Sequence, residues 1–165
     1  MQAEAGPRRI DAIATHPIAE LLACPADTST LLAESAQSIT FAPGDILFKQ
    51  DSPCRGLYLM VAGQLVRRAE RRDKHLTLGA ARPGDLVEIA AALADRHHTY
   101  SLVAQTSGSL LLLPIEPLHQ AFQSFPPLRM RLLEELAREV SRGYRSCVLS
   151  FQVKRRRRSA KIRSS

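Results

Sequence analysis

Two adjacent histidines, His97 and His98, stand out as chemically capable groups in this chain. Histidine ligates haem or a metal ion, or forms a pH-sensitive anion site. Neighbouring side chains on an extended segment point to opposite faces, which argues against both gripping one ion. His75 and His119 are further imidazoles that a fold could bring near. Cys24, Cys54 and Cys147 are odd in number, far apart, and form no C-x-x-C pair. Neither a disulfide framework nor a zinc site is expected, and a reducing compartment fits. No metal ligand is assigned on these grounds. The other chemical feature is the basic run K-R-R-R-R-S-A-K-I-R, from Lys154 to Arg163. Lys154, Arg155, Arg156, Arg157 and Arg158 can contact phosphates, with salt-sensitive, sequence-independent affinity. The run has no aromatic residue, so base stacking is not indicated. No G-x-S-x-G, Walker loop or Cys–His pairing is present, so catalysis is not expected.

The elements that must position these groups fit within 165 residues, the usual size of one domain. No apolar run approaches the roughly 18 residues needed to span a bilayer. Arg8 and Arg9 precede no long apolar stretch, so no signal peptide is expected, and the chain reads as cytoplasmic. Formal net charge is +7, and the seven cations after Gln152, with no acid among them, account for all of it. Attraction to nucleic acid or anionic surfaces should therefore come mainly from residues 152–165.

Residues 1–37 read as short helical pieces, with Pro17 suited to a first turn and Ile18, Leu21 and Leu22 on one face. A second piece, Thr28 to Ser38, has Leu31 and Leu32 inward. Alternation then takes over. Ile39 and Phe41 are followed by the turn Pro43-Gly44-Asp45, then Ile46 and Phe48, then the turn Asp51-Ser52-Pro53. Leu57, Leu59 and Val61 face one way, Tyr58 and Met60 the other. Leu65 and Val66 lead into a charged hairpin at Arg67 to Lys74, and Leu76 to Leu78 form the next strand. Pro83-Gly84-Asp85 turns again, Glu88 to Ala94 favours a helical turn or two, and Tyr100–Ala104 and Leu110–Leu113 are last strands. Such spacing means an all-β barrel or sandwich. Pro114 opens a short helix through Phe122, and Pro126-Pro127 starts a long one. Leu132, Leu136, Val140 and Tyr144 recur every four residues along it, beside Leu133 and Cys147. After Phe151 the basic, Ser-containing run is expected to be disordered when unbound.

The stretch F-A-P-G-D-I-L-F-K-Q-D-S-P-C-R-G-L-Y-L-M-V-A-G-Q-L-V (Phe41 to Val66) resembles the opening of the cyclic-nucleotide-binding domain of the Crp–Fnr transcription regulators. P-G-D-L-V-E-I-A-A-A-L (Pro83 to Leu93) resembles the lead-in to that family's phosphate-binding cassette. L-P-I-E-P-L-H-Q-A-F (Leu113 to Phe122) resembles its post-barrel helix, and Pro126 onward its dimerisation helix. The resemblance covers roughly residues 18–151. It implies a mainly β fold with flanking helices: a double-stranded β-helix, or jelly-roll-like β-roll, followed by a long C-terminal dimerisation helix. The divisions expected are a helical segment at 1–37, the β-roll at 38–125, the long helix at 126–151 and a basic tail at 152–165.

The resemblance also implies a site. The family uses a Glu to accept from a ribose hydroxyl and an Arg to pair with the phosphate. Backbone N–H groups at the start of a short helix add donors. Glu88 matches that Glu, with Ile89 and Ala90 beginning the helical turn. His98 stands at the Arg position, Arg96 lies two residues earlier, and Thr99 keeps a hydroxyl. Val87 replaces the Gly expected just before the Glu. The base-contacting positions fall at Gly143 and Tyr144, where Tyr144 can stack on a base or serve the dimer core. The implied ligand is a small anion, cyclic AMP or cyclic GMP the candidates, lying between the roll and the long helix and shifting that helix. The implied partner is a second copy, paired through Leu132, Leu136, Val140, Gly143 and Cys147. Only 14 residues follow Phe151, too few for a helix-turn-helix, so operator binding is not expected of this chain alone. Two alternatives stay open. One is a ligand-free dimeric scaffold whose tail contacts nucleic acid or acidic partners; the other is a haem-based or redox sensor.

Overall fold

The computed structural model describes residues 15–72 and 74–162. They fall into two compact units, one up to Arg129 and one from Met130 onward. The first opens with α1 (Thr15–Leu22) and α2 (Ala26–Ser35). Eight strands follow: β1 (Gln37–Phe41), β2 (Ile46–Phe48), β3 (Gly56–Ala62), β4 (Leu65–Arg71), β5 (Lys74–Ala81), β6 (Leu86–Val87), β7 (Ser101–Ala104) and β8 (Gly108–Pro114). A π-helical turn at Ala91–Asp95 separates β6 from β7. The helix α3 (Ile115–Ser124) and the long α4 (Pro127–Ile162) complete the described residues.

The strands form two antiparallel sheets, ordered β1-β8-β3-β6 and β2-β7-β4-β5. Their inner faces supply one core, including Phe41, Phe48, Tyr58, Met60, Leu65, Val87, Leu102, Leu110 and Leu112. The first sheet is covered on its outer face as well, because α2 and α3 pack against β8 and α3 against β3. That is why Leu57, Leu59, Leu111 and Leu113 are buried although they alternate with the inner set. β5 is an edge strand, and Leu76 and Leu78 on it are exposed. The charged segment after Val66 forms the hairpin that the sequence suggests, with its strands longer than the apolar residues alone mark. β4 continues through Arg71, paired along its length with β5.

Two turns of identical sequence set the corners of the roll. In Pro43-Gly44-Asp45 and Pro83-Gly84-Asp85, proline fixes its own φ and glycine takes φ +88° and +92°. Each Asp N–H bonds back to the residue before the proline, Asp45 to the Ala42 carbonyl at 3.1 Å and Asp85 to the Arg82 carbonyl at 3.0 Å. Each Asp side chain closes the same turn, accepting from Ala42 N at 2.8 Å and Arg82 N at 3.0 Å. Gly63 has a different reason to be glycine. Besides φ +85°, a Cβ there would sit 2.5 Å from the Ser107 carbonyl oxygen.

In the second unit the basic run corrects the sequence expectation. No break occurs at Phe151, and α4 runs through Lys154, Arg155, Arg156, Arg157 and Arg158 to Ile162. Arg, Lys, Gln and Ala are strong helix formers, and no Gly or Pro follows Gly143 before the end of α4. Cations near a helix C-terminus also oppose the negative end of its dipole. Glu135 is bracketed by Arg138 at 3.1 Å and Arg142 at 2.8 Å, which braces the middle of the helix.

The expected apolar stripe is divided by burial. Leu132 is only 2% exposed and Leu136 is half-buried, whereas Val140 and Tyr144 are exposed at 63% and 71%. Met130 and Leu133 are exposed too. The exposed apolar residues Met130, Leu133, Val140 and Tyr144 have a spacing of three, seven and four residues. The Gly143 position is open, since a Cβ there would meet nothing within 4 Å. The Cys147 side chain lies outside the described residues.

Candidate ligand site around Glu88

β6 ends at Val87, and the chain then takes an unusual step. Glu88 adopts φ +70°, the left-handed region that a side chain rarely occupies. The sequence places the missing glycine at Val87, but the left-handed residue is Glu88 itself. The turn beyond it is wide: Ala92 N–H bonds to the Glu88 carbonyl at 2.9 Å, and Arg96 N–H to the Ala91 carbonyl at 2.9 Å. Arg96 closes that turn, also left-handed at φ +55°.

The effect is to aim Glu88 inward. Its side chain is fully buried, and Oε1 accepts from Thr99 N at 3.2 Å and from Thr99 Oγ1 at 3.3 Å. His98 Nδ1 lies 3.6 Å from the same oxygen, too far for a hydrogen bond. The His98 ring stacks parallel to Phe48, with centroids 3.6 Å apart and 6° between the planes. Tyr58 flanks it at 5.9 Å. Glu88 Oε2 and His98 Nδ1 are both buried and take no hydrogen bond from the protein. Buried polar atoms of this kind are uncommon in folded proteins.

A third group joins them. The loop Asp51–Cys54 is laced to Arg96–His98 by backbone hydrogen bonds: Asp51 N to the His98 carbonyl, His98 N to the Ser52 carbonyl, and Cys54 N to the Arg96 carbonyl, all between 2.7 and 2.8 Å. Pro53 and His97 form a bridge in the same ladder. This register delivers the buried Cys54 thiol to Glu88 and His98, with one ligand-type atom of each within 4.8 Å of the others. Cys54 Sγ donates to the Gly56 carbonyl at 3.1 Å. Burial pushes the Cys54 thiol above its ordinary pKa and the Glu88 carboxylate adds to the rise, while the Gly56 hydrogen bond opposes it. Tyr58 is raised likewise, chiefly by burial.

Within the first unit the structure brings Glu88, His98 and Thr99 together. Ile89 is 2% exposed and belongs to the interior, and Ala90 is half-buried. Arg96 is exposed, as is His97, whose Nδ1 lies 2.9 Å from the Asp95 carbonyl. Tyr144 is on α4, in the second unit. His75 is exposed and pairs with Glu70 across β4 and β5, and His119 lies against Phe122 on α3. The cysteine is the residue that sequence reasoning passed over. Its only signal is an apolar, reactive residue directly after the turn Asp51-Ser52-Pro53. A separate open groove at the β4–β5 hairpin is lined by Arg71, Arg72, Lys74, His75 and Leu76.

Comparison with known proteins agrees with this architecture. The sequence model of the cyclic nucleotide-binding domain matches residues 38–125. The HTH-type transcriptional regulator Cmr of Mycobacterium tuberculosis is 25% identical over 115 residues, 70% of this chain and 47% of that protein. The chain thus spans about half the length of that relative. A cyclic nucleotide-binding domain from Methylobacillus flagellatus superposes with a TM-score of 0.71 at 16% identity, covering 81% of this chain and 82% of the other. The catabolite activator protein of Thermus thermophilus gives 0.66 at 24% identity, over 81% of this chain and 62% of that one. Among the described residues no helix is long and apolar enough to cross a membrane. The family match over residues 38–125, more than half of the chain, makes this protein a member of the cyclic nucleotide-binding domain family.

Proposed function

We propose that the chain is the ligand-sensing module of a cytoplasmic Crp–Fnr-type regulator and works by binding, not catalysis. Its ligand would be a small anion carrying a hydroxyl beside its charge, a cyclic nucleotide being the reference case. The observation that carries this reading is the double hydrogen bond from Thr99 to Glu88 Oε1, which holds the carboxylate in place while Oε2 keeps its acceptor capacity. Exposed Arg96 stands at the end of the same turn and supplies a cation for the anion. Because the Glu88 side chain is fully buried, a ligand reaches it only if part of its surroundings moves. Ligand binding would therefore select an opened arrangement, a population shift that α4 would relay. The test is a thermal-shift titration with cyclic AMP, cyclic GMP and a cyclic dinucleotide. A saturable rise in Tm with one of them, abolished in Glu88→Ala, is expected. At a hundredfold excess over Kd the gain is about 2.7 kcal/mol. No rise with any of the three overturns the cyclic-nucleotide version.

The exposed face of α4 favours a second, compatible role, a dimer built from two copies of this helix. Met130, Leu133, Val140 and Tyr144 lie at coiled-coil spacing and are open in one chain. Sedimentation equilibrium checks this: Val140→Asp should raise the dimer dissociation constant at least about tenfold, a loss of about 1.4 kcal/mol. A wild-type protein that stays monomeric rules the dimer out.

A further inference from the structure

Cys54 and His98 have a chemistry that the nucleotide reading leaves unused, and Glu88, which that reading also uses, lies beside them. A thiol, a carboxylate and an imidazole are the three donor types that zinc accepts, and the mix suits late divalent transition metals better than calcium or magnesium. Each of the three residues is at least nine-tenths buried. Glu88 Oε2 and His98 Nδ1 are buried with no hydrogen-bond partner in the protein, and in the Nε2–H tautomer of His98 each has an unshared electron pair to give. The Asp51–Cys54 and Arg96–His98 ladder fixes the backbone of two of the donors. The pair of Thr99 hydrogen bonds orients the third, as outer partners of metal-bound carboxylates do.

The spacing is close to what an ion needs. Around one tetrahedral zinc, with bonds of about 2.0–2.3 Å, donor atoms sit roughly 3.3–3.8 Å apart. The three donor atoms already lie within 4.8 Å of one another. His98 Nδ1 lies 3.6 Å from Glu88 Oε1, the oxygen that Thr99 already holds, so the carboxylate as a whole is within reach of an ion that His98 binds. Closing the rest takes side-chain rotation of about an ångström, measured against those bond lengths.

We propose that Cys54, Glu88 and His98 form a binding site for one divalent transition-metal ion of zinc-like character within the β-roll. Binding releases the Cys54 thiol proton to solvent, and the thiolate sulfur bonds the ion. His98 bonds through Nδ1 and keeps its proton on Nε2. Three protein ligands leave one coordination position for water or a small anion. The site shares Glu88 with the proposed nucleotide site, but its readout is the metal's own spectrum, so either reading can fail without the other.

The test uses the full chain, stripped of metal by a chelator and titrated with Co2+, then with Zn2+. Expected is one equivalent of Co2+ giving thiolate-to-cobalt absorption in the near ultraviolet, with strong visible bands of four-coordinate geometry. One equivalent of Zn2+ should erase both. Cys54→Ser should lose the thiolate band, while a Cys24→Ser/Cys147→Ser double variant keeps it. His98→Gln and Glu88→Gln should each weaken affinity by about tenfold or more. Absence of a thiolate band in the wild-type protein, or its survival in Cys54→Ser, overturns the proposal. If Cys54→Ser fails to fold, the wild-type and double-variant spectra decide alone: a band kept in the double variant can come only from Cys54, and a band lost there rejects the site.

Discussion

The two Pro-Gly-Asp corners of the β-roll begin as copies of each other and end as different things. Both use the same turn, the same backbone bond and the same Asp side-chain bond. Both dock on a neighbouring strand in the same way. Gly44 N–H bonds to the Ala104 carbonyl at 2.8 Å, and Gly84 N–H to the Met60 carbonyl at 2.9 Å. The Asp45 and Asp85 carbonyls accept in return from Ala104 and Met60. Three residues on, the copies part. After the first corner β2 carries on to Phe48, an apolar residue in ordinary strand backbone. After the second, β6 stops and Glu88 swings into the left-handed region. The lesson is that one local code can build either a wall or a site. What decides is the residue that follows, and whether the backbone there accepts strain to turn a polar group inward. The two ends then meet, since Phe48 is the ring on which His98 stacks.

That contrast can be broken by substituting the two equivalent positions with alanine and with glycine. Phe48→Ala removes a core aromatic and the ring under His98, and should cost about 3–5 kcal/mol. Phe48→Gly should be lower still by about 0.5–1 kcal/mol, because glycine in a strand loses more backbone entropy. At Glu88 the order should invert. Both variants lose the Thr99 bonds equally, but glycine occupies φ +70° without penalty. Glu88→Gly should therefore be the more stable of the two by about 1–2 kcal/mol. Urea denaturation of the four variants measures both differences. If alanine is the better residue at both positions, the strain assigned to Glu88 is absent and the two corners differ only in side chain.

Much of this contrast was legible in the sequence, and the illegible part has a physical cause. The turns could be read because Pro, Gly and Asp each solve a specific backbone problem, and the strands because one buried face enforces alternation. Glu88 and Thr99 could be placed by the cassette resemblance. Cys54 could not, because its nearness to Glu88 and His98 is made by a ladder between two distant loops, which no local pattern records. The buried state of His98 was hidden for a related reason. Adjacent His97 is exposed, and only the stacking on Phe48 tells the two apart. The basic end of α4 was misread because a charge run suggests repulsion and disorder, whereas Arg, Lys, Ala and Gln also favour helix.

The smallest expected effect bears on whether the corners are truly equivalent before they diverge. Gly44 and Gly84 have nearly the same φ, and a Cβ at either would meet nothing within 4 Å. The cost of alanine is then purely conformational, about 1–2 kcal/mol for a left-handed residue with a Cβ. Gly44→Ala and Gly84→Ala should lower stability by equal amounts in urea denaturation. Their effects on the site should nevertheless differ. Gly84 lies four residues before Glu88, and the Gly84–Met60 bond anchors the strand that launches it. Gly44 anchors the strand that ends in Phe48. Equal stability loss, with weaker Co2+ or nucleotide response only in Gly84→Ala, would mean that the second corner also sets the launch angle of the site. Equal loss with unchanged responses in both would make the corners interchangeable braces, and would confine the functional difference to Glu88 and the residues after it.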